Sequence, residues 1–209
     1  MGIRAVIFDF GGVLVRTEDA GGRRKWEQRL GLPLGEMERL VFGSELTGRS
    51  MVGGATQTDI WRNVGARFGL DDETLLQMRR DFWSGDRVDG ELVRFLRGLR
   101  PRYKTAILSN AWPGARQMFV EHFGLGEAVD DFIISSEEGI AKPDARMYLV
   151  ALQRLGVQPP EAIFVDDFVE NVEGAQAAGM VGILFRNTAQ AIADVLQHLD
   201  GAPPGQASE

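Results

Sequence analysis

The chain has 209 residues, of which 44% are hydrophobic and 25% are charged, the balance of an ordinary globular protein. At roughly 150 residues per domain, this length predicts one domain, or one domain with an insertion. The absence of cysteine excludes disulfide bonds, thiolate metal sites and cysteine nucleophiles. A net charge of −7 disfavours broad binding to nucleic acid or to anionic membranes, and no stretch reaches the ~18 apolar residues of a membrane helix. We therefore expect a cytoplasmic protein without a nucleic-acid or membrane partner.

The first predicted element is a buried strand from Ala5 to Phe8, where β-branched and aromatic residues lead to Asp9. From Glu18 to about Ser84 the pattern becomes helical. Glycine, proline and aspartate separate four predicted helices in this region, at Arg23–Leu30, Leu34–Phe42, Thr58–Phe68 and Glu73–Trp83. We predict that residues 16–85 form a helical insert after the first strand.

Beyond residue 86, predicted strands and helices alternate. The strands are Thr105–Leu108, Phe132–Ile134, Ala162–Val165 and Val181–Phe185, and the helices are Leu92–Leu99, Gln117–Phe123, Ala145–Leu155, Val169–Ala178 and Ala189–Leu199. This alternation is typical of a parallel sheet with helices on both faces. The sequence therefore predicts an α/β protein with a Rossmann-like core of residues 1–15 and 86–200, an inserted helical cap at 16–85 and a flexible tail at 201–209.

Polar residues follow four of the five predicted strands. They are Asp9, Ser109-Asn110, Ser135-Ser136 and Asp166-Asp167. Ligands of an open α/β sheet bind at the carboxyl ends of its strands. If the first and fourth strands are neighbours, Asp9 joins Asp166 and Asp167 in one crevice. Three carboxylates there repel each other unless a cation compensates, and oxygen ligands without histidine or cysteine favour a hard ion such as Mg²⁺.

The same strand ends carry groups that suit phosphoryl transfer. A carboxylate such as Asp9 can attack phosphorus and form an aspartyl-phosphate. The transferred group then needs positive charge and hydrogen-bond donors around its oxygens. Lys142, the Ser109 hydroxyl and the backbone N–H groups after Gly11 are candidates for these contacts.

Four segments of the chain resemble, in order, the four motifs of the haloacid dehalogenase-like hydrolase superfamily. They read AVIFDFGGVLV, LSN, GIAKPDARMY and IFVDDFVENVEGAQAAG. The resemblance spans residues 4 to about 186, and the ordered combination is specific although each motif alone is weak. The insert is placed as in the helical-cap subgroup, and the details are similar to the branch of epoxide hydrolase phosphatase domains and sugar-1-phosphate phosphatases. The resemblance implies a Mg²⁺-dependent hydrolase of a small phosphorylated metabolite, with the metabolite and the oligomeric state left open.

The resemblance also assigns roles to the catalytic residues. Asp9 matches the nucleophile, which is also a magnesium ligand. Ser109 matches the hydroxyl that binds the phosphoryl group, and Asn110 beside it is expected to bind substrate. Lys142 matches the lysine that neutralises the charge of the nucleophile and the phosphoryl group.

Further roles concern the metal and the loops around it. Asp166 and Asp167 match the acidic fourth motif, and we favour Asp167 as the direct ligand with Asp166 as its support. Asn171 matches an asparagine that ties down the following loop. The Gly11 carbonyl is the remaining expected metal ligand, and Gly11 and Gly12 are expected to contact substrate through their backbone.

Gly11 departs from the family pattern. Phosphatases of the superfamily carry Asp-x-Asp in the first motif, and the second aspartate donates a proton to the leaving group and then activates water. Here Gly11 takes that place. Since general acid–base help contributes roughly 10²–10⁴-fold, we expect activity to survive but to favour good leaving groups, such as sugar-1-phosphates, acyl phosphates or aryl phosphates.

Three other interpretations are open. A metal-free 2-haloacid dehalogenase also lacks the second aspartate, but such enzymes lack an acidic pair like Asp166-Asp167. A phospho-receiver domain uses similar residues, but needs only ~120 residues and no helical insert. A catalytically degenerate binding protein would explain Gly11 as a remnant of lost activity.

Overall fold

A computed structural model describes residues 2–200; the tail predicted at 201–209 lies outside the described residues. Its centre is a parallel sheet of five strands in the order β5-β4-β1-β6-β7, which confirms the predicted α/β class. The strands of this sheet are β1 (Ala5–Phe8), β4 (Lys104–Ser109), β5 (Asp131–Ile134), β6 (Ala162–Asp166) and β7 (Val181–Leu184).

Helices cover both faces of the sheet. They are α6 (Gly90–Leu99), α7 (Ala115–Gln117), α8 (Ser135–Glu138), α9 (Ala145–Leu155), α10 (Val169–Ala177) and α11 (Thr188–Asp200). The side chains of β1 alternate between two apolar cores, as the pleat of a strand requires. Val6 and Phe8 join the core beneath α6, α7 and α11, while Ala5 and Ile7 join the core beneath α9 and α10. The sheet is therefore buried on both faces, and its ligand-accessible surface lies at the strand ends.

The insert leaves and rejoins the core through an antiparallel ribbon of two short strands. These strands are β2 (Val15–Thr17) and β3 (Asp86–Val88). Neither strand is predicted from the sequence, because three residues are too few to show a periodic pattern. Arg16 of β2 contacts Asp89 at the start of α6 at 2.6 Å, so the ribbon is fastened to the core.

Five helices lie between β2 and β3, where the sequence predicts four. They are α1 (Gly21–Leu30), α2 (Glu36–Phe42), α3 (Glu45–Met51), α4 (Gln57–Phe68) and α5 (Asp72–Trp83). The unpredicted helix, α3, is short and contains Gly48 and other weak helix formers, but the Ser44 side chain caps its first turn. The insert has an apolar core of its own, centred on Trp26, Trp61 and Phe82. The capping role of residues 16–85 stays a prediction.

One predicted helix differs in form. In place of a single helix over Gln117–Phe123, the short α7 passes into a π-helical turn at Met118–His122. Phe119 in this turn is fully buried and stacks on Phe10 with ring centroids 3.8 Å apart, so aromatic packing against the segment beside Asp9 holds the turn in place. Among the described residues, none of the helices is long and apolar enough to cross a membrane.

Candidate active site

The sheet order brings the polar strand ends together. β1 lies between β4 and β6, and Phe8 pairs in register with Ile107 of β4 and Val165 of β6. Asp9 therefore follows the central strand, with Ser109 at the end of β4 on one side and Asp166 at the end of β6 on the other. The first and fourth strands predicted from the sequence, β1 and β6, are therefore neighbours.

Asp9, Asp166 and Asp167 form a carboxylate cluster. One oxygen from each of them lies within 4.8 Å of the others. Asp9 and Asp166 are buried and Asp167 is half-buried. Burial raises the pKa of Asp9 to about 7; Lys142 acts against this rise and Asp166 adds to it. Burial, followed by repulsion from Asp166, also raises the pKa of Asp167. The cluster thus holds more negative charge than a buried site tolerates without a cation.

Lys142 is the one cation that directly contacts this cluster among the described ion pairs. Its Nζ lies 2.7 Å from Asp9 Oδ1 and 2.6 Å from Asp166 Oδ2, and its side chain is 1% exposed. A single ammonium bridges two carboxylates, so it holds Asp9 and Asp166 in a fixed relation. In the part of the chain that the structure describes, no cationic side chain forms an ion pair with Asp167.

The hydrogen bonds separate the roles of the two adjacent aspartates. Asp166 Oδ2 binds Lys142, and Asp166 Oδ1 accepts from the Phe168 N–H at 2.8 Å and from Asn171 Nδ2 at 3.0 Å. Asp167 Oδ1, in contrast, is buried and has no hydrogen-bond partner among the described residues. A buried, unpaired carboxylate oxygen in an all-oxygen cluster fits a hard divalent cation. Asp9 and Asp167 are therefore the side chains that could hold a metal ion, whereas both oxygens of Asp166 already accept hydrogen bonds.

The two glycines after Asp9 have different surroundings. Gly12 has a φ of +78°, and a Cβ there would lie 2.1 Å from Asp167 Oδ2. Its N–H, which we expected to contact substrate, donates to the Val15 carbonyl at 2.9 Å. Gly11 is exposed, and a Cβ there would have nothing within 4 Å. The place of the absent second aspartate is thus open space.

The loop after β4 is held by side chains that point back to the backbone. Asn110 donates from Nδ2 to the Lys142 carbonyl at 2.9 Å and accepts from the Lys142 N–H at 2.8 Å. This double contact positions Lys142, and the substrate contact predicted for Asn110 stays a prediction. Ser135 Oγ accepts from the Ala111 N–H at 3.0 Å, a role that the sequence shows only as a polar residue after a strand. Ser109 is 3% exposed at the end of β4.

The insert contacts the core beside this loop. The Trp83 ring at the end of α5 lies 5.6 Å from the Trp112 ring, and Gly53, just after α3, lies close to the Ser136 backbone. Trp112 follows Asn110 by two residues, so the contact lies near the loop after β4. A cleft of about 410 Å³ lies between Gln57 and Arg79 of the insert and the core segment that begins at Trp112.

The strand ends of the parallel sheet thus gather three carboxylates and a lysine that contacts two of them. The family model of haloacid dehalogenase-like hydrolases matches residues 3–179. The chain therefore belongs to the haloacid dehalogenase-like hydrolase family.

Phosphatases are among the relatives of this chain. A phosphatase of Mycobacterium tuberculosis is 29% identical over 98% of this chain and 100% of its own length. The bifunctional epoxide hydrolase 2 of Mus musculus is 27% identical over 93% of this chain, but this match covers only 38% of the mouse protein. The similarity to the second relative thus concerns one part of a larger protein.

Two solved structures share the fold. A haloacid dehalogenase-family enzyme of Bacteroides thetaiotaomicron, in complex with magnesium and inorganic phosphate, has a TM-score of 0.74 at 19% identity, over 88% of this chain and 95% of its own. The L-2-haloacid dehalogenase of Xanthobacter autotrophicus with covalently bound chloropropionic acid has a TM-score of 0.63 at 26% identity, over 96% of this chain and 85% of its own.

Proposed function

We propose that the protein is a Mg²⁺-dependent phosphatase of a small phosphorylated metabolite, with Asp9 as the nucleophile. The observation that carries the proposal is the buried Asp167 Oδ1 beside Asp9 and Lys142, which has no hydrogen-bond partner within residues 2–200. A divalent cation would pair with that oxygen. The phosphatase relative that spans nearly the whole chain supports the same conclusion.

The reaction then has two steps. An Asp9 carboxylate oxygen attacks phosphorus, the aspartyl-phosphate bond forms, and the bond from phosphorus to the leaving oxygen breaks. Water next attacks the phosphorus of the aspartyl-phosphate, which releases inorganic phosphate and regenerates the Asp9 carboxylate. Lys142 offsets the negative charge of Asp9 and of the phosphoryl oxygens, and Ser109 donates to the phosphoryl group.

Magnesium held by Asp9, Asp167 and the Gly11 carbonyl would supply positive charge to the nucleophile and to the phosphoryl oxygens. Asp9 must be ionised to attack, and burial raises its pKa to about 7 even with Lys142 beside it and no metal ion bound. A nearby positive charge favours the ionised form. A metal ion held there would therefore favour the ionised form of Asp9 and offset the phosphoryl charge.

We further propose that good leaving groups are favoured. Gly11 carries no proton donor, and the space beyond it is open. An alkyl leaving group departs as a basic alkoxide and needs a proton in the transition state, whereas an anomeric hydroxyl, an acyl group or a phenol needs it less. Sugar-1-phosphates, acyl phosphates and aryl phosphates are therefore the expected substrates.

Residues 16–85 act as the cap in this proposal. The contact of Trp83 with Trp112 at 5.6 Å, beside the loop after β4, supports this role. Closure excludes bulk water from the first step and selects the substrate through insert side chains.

The test is a turnover screen across phosphorylated metabolites, with Mg²⁺ and with a chelator. We expect phosphate release that requires Mg²⁺ and is fastest for substrates with acidic leaving groups. No turnover of any phosphate ester with Mg²⁺ present would favour a degenerate binding protein. Halide release from 2-haloacids in the presence of a chelator would favour a dehalogenase, the alternative that Gly11 and the Xanthobacter autotrophicus structure keep open.

A further inference from the structure

Tyr148 makes a buried hydrogen bond that the proposed reaction does not use directly. It lies on α9, is fully buried, and packs its ring against Phe164 of β6 with centroids 5.6 Å apart. Its hydroxyl donates to the Asn171 carbonyl in the first turn of α10 at 2.7 Å. Burial raises the pKa of Tyr148 above its ordinary value, so the hydroxyl stays protonated and remains a donor.

The Asn171 end of this bond leads to the nucleophile through three further contacts. Asn171 Nδ2 donates to Asp166 Oδ1 at 3.0 Å. Asp166 Oδ2 accepts from Lys142 Nζ at 2.6 Å, and the same Nζ lies 2.7 Å from Asp9 Oδ1. Tyr148 thus begins a continuous series of polar contacts that ends at Asp9.

Close packing also holds α10 against α9 and against the segment just before α9. A Cβ on Gly174 of α10 would lie 2.9 Å from the Tyr148 hydroxyl and 3.0 Å from the Pro143 carbonyl. Only glycine allows α10 to approach the segment after Lys142 this closely. The hydroxyl and the glycine together fix the first turn of α10 against the segment that carries Lys142.

The Tyr148 hydroxyl donates to a backbone carbonyl that has another hydrogen-bond donor available. A carbonyl in the first turn of an α-helix already accepts from the N–H four residues later, so the Asn171 carbonyl does not require the tyrosine. Phenylalanine would fill the same apolar space without leaving a polar atom behind. A tyrosine ring and a phenylalanine ring would pack equally well here. The Tyr148 hydroxyl therefore adds one thing, a hydrogen bond that fixes the position of Asn171.

We propose that Tyr148 is a positioning residue, which holds Asn171 so that Asp166 and Lys142 keep Asp9 and Asp167 in the geometry that binds Mg²⁺ and attacks phosphorus. This inference rests on the proposed phosphatase function. Partners beyond the direct ligands commonly change metal affinity or activity by roughly 10–100-fold. Tyr148 acts one contact further out, so we expect about a three- to ten-fold effect.

The test compares Tyr148→Phe with Tyr103→Phe, the same substitution at the other tyrosine of the chain. Tyr103 is half-buried just before β4, at the opposite end of that strand from Ser109. Mg²⁺ binding is measured by calorimetry, and kcat and KM are measured with p-nitrophenyl phosphate. We expect Tyr148→Phe to weaken Mg²⁺ binding and to lower kcat, each by about three- to ten-fold, with little change in KM, while Tyr103→Phe leaves all three unchanged.

Gly174→Ala provides a second variant, which we expect to shift the Mg²⁺ dissociation constant and kcat in the same direction. A lower Tm for Tyr148→Phe with wild-type Mg²⁺ affinity and kcat would show a merely structural role and overturn the inference. If the wild-type protein neither binds Mg²⁺ nor releases phosphate, the proposed function fails, and the positioning role fails with it.

Discussion

The carboxylate of Asp167 occupies the space that a side chain on Gly12 would fill. An ideal Cβ on Gly12 would lie 2.1 Å from Asp167 Oδ2 and 2.9 Å from Oδ1. The φ of Gly12, +78°, independently favours glycine. The turn after the nucleophile and the acidic pair at the end of β6 are therefore fitted to each other, although more than 150 residues separate them in the sequence.

Gly12→Ala should displace Asp167 and weaken the metal site. We expect Mg²⁺ affinity and turnover to fall by roughly ten-fold or more, as for lost support of a metal ligand. Gly31→Ala is the matched control, because Gly31 has a φ of +65° but open space at its Cβ. Both variants carry the left-handed backbone strain of about 1–2 kcal/mol. Equal Mg²⁺ affinity in the two variants, measured by calorimetry, would contradict the fit between Gly12 and Asp167.

Gly11→Asp should restore a proton donor where the structure has room for one. We expect kcat/KM for alkyl phosphates to rise by about ten-fold or more, within the roughly 10²–10⁴-fold range of general acid catalysis. Aryl phosphates should gain less, because a phenol leaves more readily without a proton. The measurement is log(kcat/KM) against the pKa of the leaving group, which should become less steep than in the wild-type protein.

Gly11→Asn is the control for this experiment, since it adds a side chain of similar size without an acid. If Gly11→Asn and Gly11→Asp change the slope equally, proton donation is not the missing contribution. A flat profile in the wild-type protein would remove the reason for a preference for good leaving groups.

Asp89 joins the ribbon of the insert to the core and should make stability depend on pH. Burial alone would raise the pKa of Asp89, but hydrogen bonds from Thr188, the Leu92 N–H and Arg16 outweigh it, and the pKa is lowered. A lowered folded-state pKa contributes stability that is present above the unfolded pKa of about 4 and is lost as pH falls through the folded pKa. Asparagine does not titrate. The difference in unfolding free energy between the wild type and Asp89→Asn should therefore be largest near neutral pH.

Asp89→Asn should therefore cost about 2 kcal/mol at pH 7, because its amide nitrogen faces the Arg16 and Thr188 donors. For a chain of this size the expected fall in Tm is about 4–8 °C. Thermal melts of the wild type and the variant should converge below pH 4. Asp71→Asn, which changes the N-cap of α5, controls for the loss of a capping carboxylate. A Tm difference that stays constant from pH 7 to pH 3 would exclude the Asp89 charge as its cause.

The sequence was sufficient to predict much of the core because its signals are local. The buried strand before Asp9, and the strand before Asp166, are continuous apolar runs that end in polar residues. Parallel topology then requires those ends to share an edge of the sheet. The grouping of Asp9, Asp166 and Asp167 follows from this rule together with the pairing of β1 with β6, which the sequence alone did not establish.

Other features depend on contacts that leave no local signal. The strands Val15–Thr17 and Asp86–Val88 pair only because the chain enters and leaves the insert side by side. The Asn110 side chain turns to the Lys142 backbone, and the Tyr148 hydroxyl reaches Asn171, across 32 and 23 residues of sequence. Neither partner can be read from a motif, since each bond depends on how the helices pack.

The most direct test of the central claim is to trap the phosphorylated enzyme. The protein is mixed with Mg²⁺ and an aryl phosphate, quenched in acid, and mapped by peptide mass spectrometry. We expect a phosphoryl group on the Asp9 carboxylate, with no phosphoenzyme and no turnover in a folded Asp9→Asn variant. Phosphate on another residue, or turnover that survives in Asp9→Asn, would contradict it.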